Sequence, residues 1–100
     1  MLASARYAAV NSGRAQDVAI NPGTNQISFR EQVTQLPEKL NVVVHSAREI
    51  NRRDEGVIRF YPEGGSSGGD IELERPDADG LRVSVEWLDG RVTHARYDFD

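Results

Sequence analysis

Residues Gly64-Gly65-Ser66-Ser67-Gly68 spell G-x-S-x-G, the pattern of a hydrolase nucleophile, and His94 and Asp98 complete a serine triad on paper. The surroundings argue against that chemistry. A nucleophile elbow joins a strand to a helix inside a large parallel sheet. Here the loop leads into Asp70-Ile71-Glu72-Leu73-Glu74, which alternates polar and apolar and reads as another strand. Nor is the loop a phosphate cradle, because it lacks the Lys-Ser/Thr ending and no helix follows it. It reads as a flexible glycine loop, mechanical or a contact, and no buried partner is expected for the Ser66 hydroxyl.

The remaining polar candidates are weaker. Asp70, Glu72 and Glu74, with Asp77 and Asp79, offer oxygen ligands for calcium but lack the ordered spacing of a calcium loop. The first three fall on one face of a strand and read as a solvated face. His45 and His94 are the two histidines, each alone in a strand, and there is no cysteine. No thiolate metal site or disulfide is therefore available, and no cofactor is called for.

The elements that would hold these residues are short. Leu2 to about Ser12 is alanine-rich and helical, with Leu2, Ala5 and Ala9 on one stripe and Val10 broadening it. Gly13 stands where a left-handed helix cap belongs. Strands are expected at Asp17–Ile20, Gln26–Arg30, Leu40–Val44, Val57–Tyr61, Asp70–Glu74 and Leu81–Trp87, followed by a returning final strand. Asn21-Pro22-Gly23 reads as a turn with the glycine supplying the positive φ, and Asp77-Ala78-Asp79-Gly80 as another. Residues 47–56 are a charged loop or short helical turn. One helix and about seven strands give an α+β fold, an antiparallel sandwich carrying the helix against one sheet.

The last hairpin has two readings. A two-residue Asp89-Gly90 turn pairs Trp87 with Val92 and Val85 with His94. A three-residue loop with Gly90 left-handed pairs Trp87 with Arg91, Val85 with Thr93, Val83 with Ala95 and Leu81 with Tyr97. The second is preferred because it matches apolar residues better. Trp87 ends the stripe Leu81, Val83, Val85 and is assigned to the core, although its place beside a turn leaves room for partial exposure at a contact.

Bulk properties set the class. One hundred residues allow one domain with a modest core. The hydrophobic share is 38% and the charged share 28%, ordinary for a globular chain. The net charge of −4 lacks the basic excess that phosphate neutralisation needs, so no nucleic acid partner is expected. No apolar run approaches the roughly 20 residues of a membrane span.

Three segments carry a family resemblance. Phe60-Tyr61-Pro62-Glu63-Gly64-Gly65-Ser66-Ser67-Gly68-Gly69-Asp70-Ile71-Glu72-Leu73 resembles the F-x-P-x-G-x-S-x-G-G-x-I-x-L stretch of type II secretion minor pseudopilins of the GspH kind. Val85-Glu86-Trp87-Leu88-Asp89-Gly90-Arg91-Val92 resembles their V-x-W-L-x-G-R-V hairpin, and Leu36-Pro37 to Val42 their L-P-x-x-x-x-V segment. Residues 2–14 look like the end of the family's N-terminal helix.

The resemblance implies a pseudopilin-type sandwich as a single periplasmic domain over 1–100, cut from an upstream membrane-anchoring helix. It implies a non-enzymatic filament subunit near the pseudopilus tip. Its partners would be the other minor and major pseudopilins and the inner membrane. Gly64, Ser66, Ser67, Gly68 and Gly69 would form a motif and contact loop, with Trp87, Gly90 and Arg91 as the hairpin motif. The rival inside the superfamily is a FimT-like minor pilin of type IV pili. The rival outside it is a small ligand-binding β-domain.

Overall fold

A computed structural model describes residues 1–76 and 79–97. Helix α1 (Leu2–Ser12) ends at Gly13, which has φ 71° and donates its N–H to Ala9 O at 3.1 Å, the left-handed cap expected there. Ala5 and Ala9 are fully buried. Their small side chains let α1 lie close on the first and fifth strands. Leu2 packs against the same core, whereas Val10 is half exposed and does not join the stripe.

Eight strands follow: β1 (Gln16–Asn21), β2 (Gln26–Phe29), β3 (Gln32–Gln35), β4 (Asn41–Ser46), β5 (Gly56–Phe60), β6 (Gly69–Glu74), β7 (Gly80–Val85) and β8 (Val92–Tyr97). They form two antiparallel four-stranded sheets, ordered β3-β2-β1-β5 and β4-β6-β7-β8. The fold is the expected α+β sandwich with one strand more than the sequence reading gave. The unforeseen strand, β3, reads Gln-Val-Thr-Gln and is exposed throughout. This edge strand turns neither face to the core, so no apolar alternation marks it. The charged stretch before β5 holds one turn of 3-10 helix, Arg48–Ile50.

Alternation places the core. Val18, Ile20, Phe29, Ile58 and Phe60 from the first sheet meet Val42, Ile71, Val83 and Val85 from the second in one cluster with Ala5 and Ala9. On the opposite face of the second sheet, Glu72 pairs with Arg82 at 3.2 Å and lies 3.6 Å from His45. The Tyr97 hydroxyl donates to Glu74 at 3.1 Å, and Asn41 donates to the same carboxylate group at 2.8 Å. All three acids of β6 are half-buried, and Glu72 and Glu74 are partnered rather than simply solvated. Loss of solvent around the Tyr97 hydroxyl, reinforced by Glu74, pushes its pKa up to about 12.

The β1–β2 turn differs from expectation in one respect. The positive φ falls on Asn25 (54°), not Gly23, whose amide instead donates to Asn21 Oδ1 at 2.9 Å. Asparagine tolerates the left-handed region better than other non-glycine residues. Its buried side-chain amide donates to Pro37 O at 2.9 Å and Leu40 O at 2.8 Å, tying the turn to the segment that enters β4. Asn25→Ala removes both bonds, leaves two carbonyls under-satisfied and puts a β-carbon without local compensation at positive φ. The expected loss is about 2–3 kcal/mol. Urea unfolding measures it, and a midpoint matching the parent would show that the amide holds nothing.

Candidate functional site

Two sequence-distant loops meet at one end of the sandwich. The first connects β5 to β6 and so carries the chain from one sheet to the other. It opens with a tight turn: Gly64 N–H donates to Tyr61 O at 3.0 Å and Tyr61 N–H to Gly65 O at 2.9 Å. It is then fastened on both sides. Ser67 N–H donates to Arg59 O at 2.8 Å, and the Ser67 hydroxyl accepts from Arg59 N–H at 2.9 Å. Ser66 N–H donates to Trp87 O at 2.9 Å. Ser66 is buried, its Oγ donating to Glu86 O at 2.8 Å and accepting from Gly68 N–H at 2.9 Å. The reading of a flexible loop without a partner for this hydroxyl is therefore corrected: Ser66 is a buried strut between two loops.

The second loop closes the β7–β8 hairpin, in neither register considered from sequence. Val85 pairs with Val92, Val83 with His94, Leu81 with Arg96 and Gly80 with Tyr97. Glu86 N–H donates to Arg91 O and Gly90 N–H to Glu86 O, both at 2.9 Å, leaving Trp87–Gly90 as a four-residue loop. Gly90 is left-handed as expected, at φ 70°. Trp87 lies in the loop rather than the stripe. It is 68% exposed and Leu88 is 74% exposed, so the assignment of Trp87 to the core is overturned. The physical reason is that pairing Val85 with Val92 buries two β-branched residues next to the core and leaves no inward-facing place for the indole.

Contact between the loops leaves no room for side chains. A β-carbon on Gly65 would stand 2.9 Å from Trp87 O and 3.2 Å from Leu88 O, and one on Gly90 would run into Gly64 O. Gly64, Gly68 and Gly69 also hold positive φ, and a Gly69 β-carbon would meet His45 O at 2.6 Å. From the helix, Arg6 Nε donates to Asp89 O at 3.1 Å. Arg91 is exposed, and its side chain lies 3.3 Å from the Asp89 carboxylate. Its backbone N–H, and then its charge, hold the Asp89 carboxyl below its usual range. The part played by Arg6 carried no sequence signal, because its partner is a backbone carbonyl 83 positions away.

Ser66 is not placed as an activated nucleophile. Both Ser66 Oγ partners are backbone groups and neither is a base, while His94 sits exposed on the edge strand β8. Among the described residues no group of three or more His, Cys, Asp or Glu converges to hold a metal. Asp77 and Asp98, named above in the calcium and triad readings, lie outside the described residues. What the two loops accomplish is to hold Trp87 and Leu88 in water on a closely packed, hydrogen-bonded base.

Ser66→Ala should cost about 1–3 kcal/mol, because the Gly68 amide loses the hydroxyl that accepts from it and the Glu86 carbonyl keeps only its bond from Gly90 N–H. Gly90→Val should cost more than the roughly 1–2 kcal/mol of left-handed strain, since it also collides with Gly64. Chemical unfolding of each variant checks this, and parent-like stability of either would mean that the loops are not locked.

No family model matches the chain, and no solved structure matches it significantly. One curated relative is 43% identical over 58 residues, which is 57% of this chain and 34% of the relative: the type II secretion system protein H of Xanthomonas campestris pv. campestris. The chain thus spans about a third of that protein's length, and over the matched segment it is similar to a protein whose name places it in a type II secretion system.

Proposed function

We propose that this chain is the globular part of a minor pseudopilin, a structural, non-enzymatic subunit of the type II secretion filament. In this reading it stands near the filament tip on the periplasmic side of the inner membrane. An anchor helix continuing upstream of α1 holds it there, and its neighbours are other pseudopilins. The likeness to a type II secretion protein H carries the reading. The structure supports assembly over catalysis through the two adjacent exposed apolar residues, Trp87 and Leu88. Exposed aromatic and aliphatic side chains on a rigid support are the usual anchors of protein contacts. Among the described residues no helix is long and apolar enough to cross a membrane.

A strain lacking the gene, complemented with the full-length protein, separates folding from assembly. The double substitution Trp87→Ala/Leu88→Ala removes exposed groups and should change stability by no more than about 0.5 kcal/mol. Export of the system's secreted proteins should nevertheless fall to the level of the deletion strain. Normal export from the deletion strain would overturn the secretion role, and normal export from the double variant would overturn the contact role of the loop.

A further inference from the structure

The first sheet ends in an edge that its own molecule leaves unused. Strand β3 is exposed over its whole length, and Val33 within it is 60% exposed. Its pairing with β2 sets Gln35 opposite Gln26, Thr34 opposite Ile27, Val33 opposite Ser28 and Gln32 opposite Phe29. Just beyond that ladder, Leu36 N–H donates to Asn25 O at 2.8 Å. Antiparallel pairing alternates, so counting back in twos turns the backbone groups of Thr34 and Gln32 toward β2. Those of Val33 and Gln35 point away from the sheet, where each residue presents an N–H and a C=O to a further strand.

The other edges are closed or guarded. β4 and β5 lie together, so near that a β-carbon on Gly56 would run into Val44. β8 carries His94 and Arg96, both exposed, and charged side chains on an edge oppose pairing. β3 reads Gln-Val-Thr-Gln, with no charge, proline or glycine. Among the described residues it alone is both uncovered and uncharged.

It is nevertheless held firmly for a strand that buries nothing. Gln35 Nε2 donates to Thr24 O at 2.8 Å and Leu36 O at 3.1 Å, and Gln35 Oε1 accepts from Gln26 at 3.1 Å. The buried Asn25 amide fixes the segment that follows, through Pro37 O and Leu40 O. At the other end Arg30 turns the chain at φ 58°. Its guanidinium donates to Gln16 Oε1 at 3.2 Å and lies 5.2 Å from the centre of the Phe29 ring. An edge ordered in advance gives up little freedom when another strand joins it.

We propose that β3 is a strand-addition site that takes an extended, uncharged segment of a different subunit of the filament. This rests on the reading of the chain as a pseudopilin. The edge specifies the chemistry of its occupant. Backbone groups at alternate residues select an extended chain. Across the sheet Val33 continues the row Val57, Ala19, Ser28, so the residue set opposite it is β-branched or otherwise apolar. The flanking residues are polar and uncharged, because β3 holds no charge to pair with one. Two outward residues supply at most about four backbone hydrogen bonds, a weak contact alone. Edge and hairpin loop belong to different sheets, so in a filament the edge adds to contacts already made, and effective concentration offsets its weakness. Pairing β3 with a second copy would instead close a two-fold dimer and shut unlike subunits out.

The 100 residues contain no cysteine, so Thr34→Cys gives a single attachment point on the exposed strand. Full-length protein carrying a thiol-linked benzophenone there is illuminated in membranes of the complemented deletion strain. The expected product is an adduct with another pseudopilin, joined within an uncharged extended stretch. Val33→Pro removes an outward N–H and none of the bonds to β2, whereas Val33→Lys keeps the backbone and adds a charge. Each should lower the adduct yield roughly tenfold or more. Thermal melts of the 100-residue chain establish that the variants fold, and if Val33→Pro does not, Val33→Lys decides alone.

An adduct with a second copy or with an exported protein would overturn the proposal. So would the absence of any adduct, or a yield that neither substitution lowers. Export that fails in the deletion strain while β3 gives no adduct would refute the edge and leave the secretion role standing.

Discussion

The structure depends on the backbone-to-backbone seat of Gly65 against the carbonyls of Trp87 and Leu88. Everything at that end of the molecule is arranged around an approach too close for any β-carbon. Because the two loops touch through backbone, their polar groups must be satisfied in place, since a buried carbonyl or amide without a partner costs about 1–3 kcal/mol. Ser66 does this by bridging Glu86 and Gly68, and its own amide takes Trp87 O. Among the described residues no buried side-chain polar atom lacks a partner.

That seat has a mechanical consequence. The segment from Tyr61 to Gly68 is the link between β5 of one sheet and β6 of the other. Docked on the β7–β8 loop, and with Arg6 of α1 bonded to the same loop, it ties both sheets and the helix at one place. The inter-sheet crossing is therefore a fastening, and Trp87 and Leu88 ride on it. An exposed indole on a mobile loop would have to be ordered by its partner, at about 0.5–1.5 kcal/mol for each side chain. Here the loop backbone is ordered beforehand.

The sequence made the layers legible and the site only half so. Period-two runs at Ile71–Leu73 and Leu81–Val85 marked strands correctly because each turns one face to the core. Gly13 and Gly90 were recognisable because a positive φ at the end of a helix or a hairpin loop favours glycine. The register of the last hairpin was not legible: Trp87 extends an apolar stripe, and nothing local states that the stripe stops at Val85. With the register misplaced, the carbonyls of Glu86 and Trp87 had no assigned position, so the partners of Ser66 were invisible and the loop looked free. The edge strand β3 escaped for the opposite reason, since it buries no face and so carries no pattern.

The central claim is that the two glycine loops form one rigid seat, and amide hydrogen exchange tests it residue by residue. The account predicts that Ser66, Ser67, Glu86 and Gly90, whose N–H groups all donate to backbone carbonyls within or between these loops and β5, exchange as slowly as the central strands β1 and β6. Exchange at the rate of an open surface loop, with β1 and β6 still protected, would contradict it.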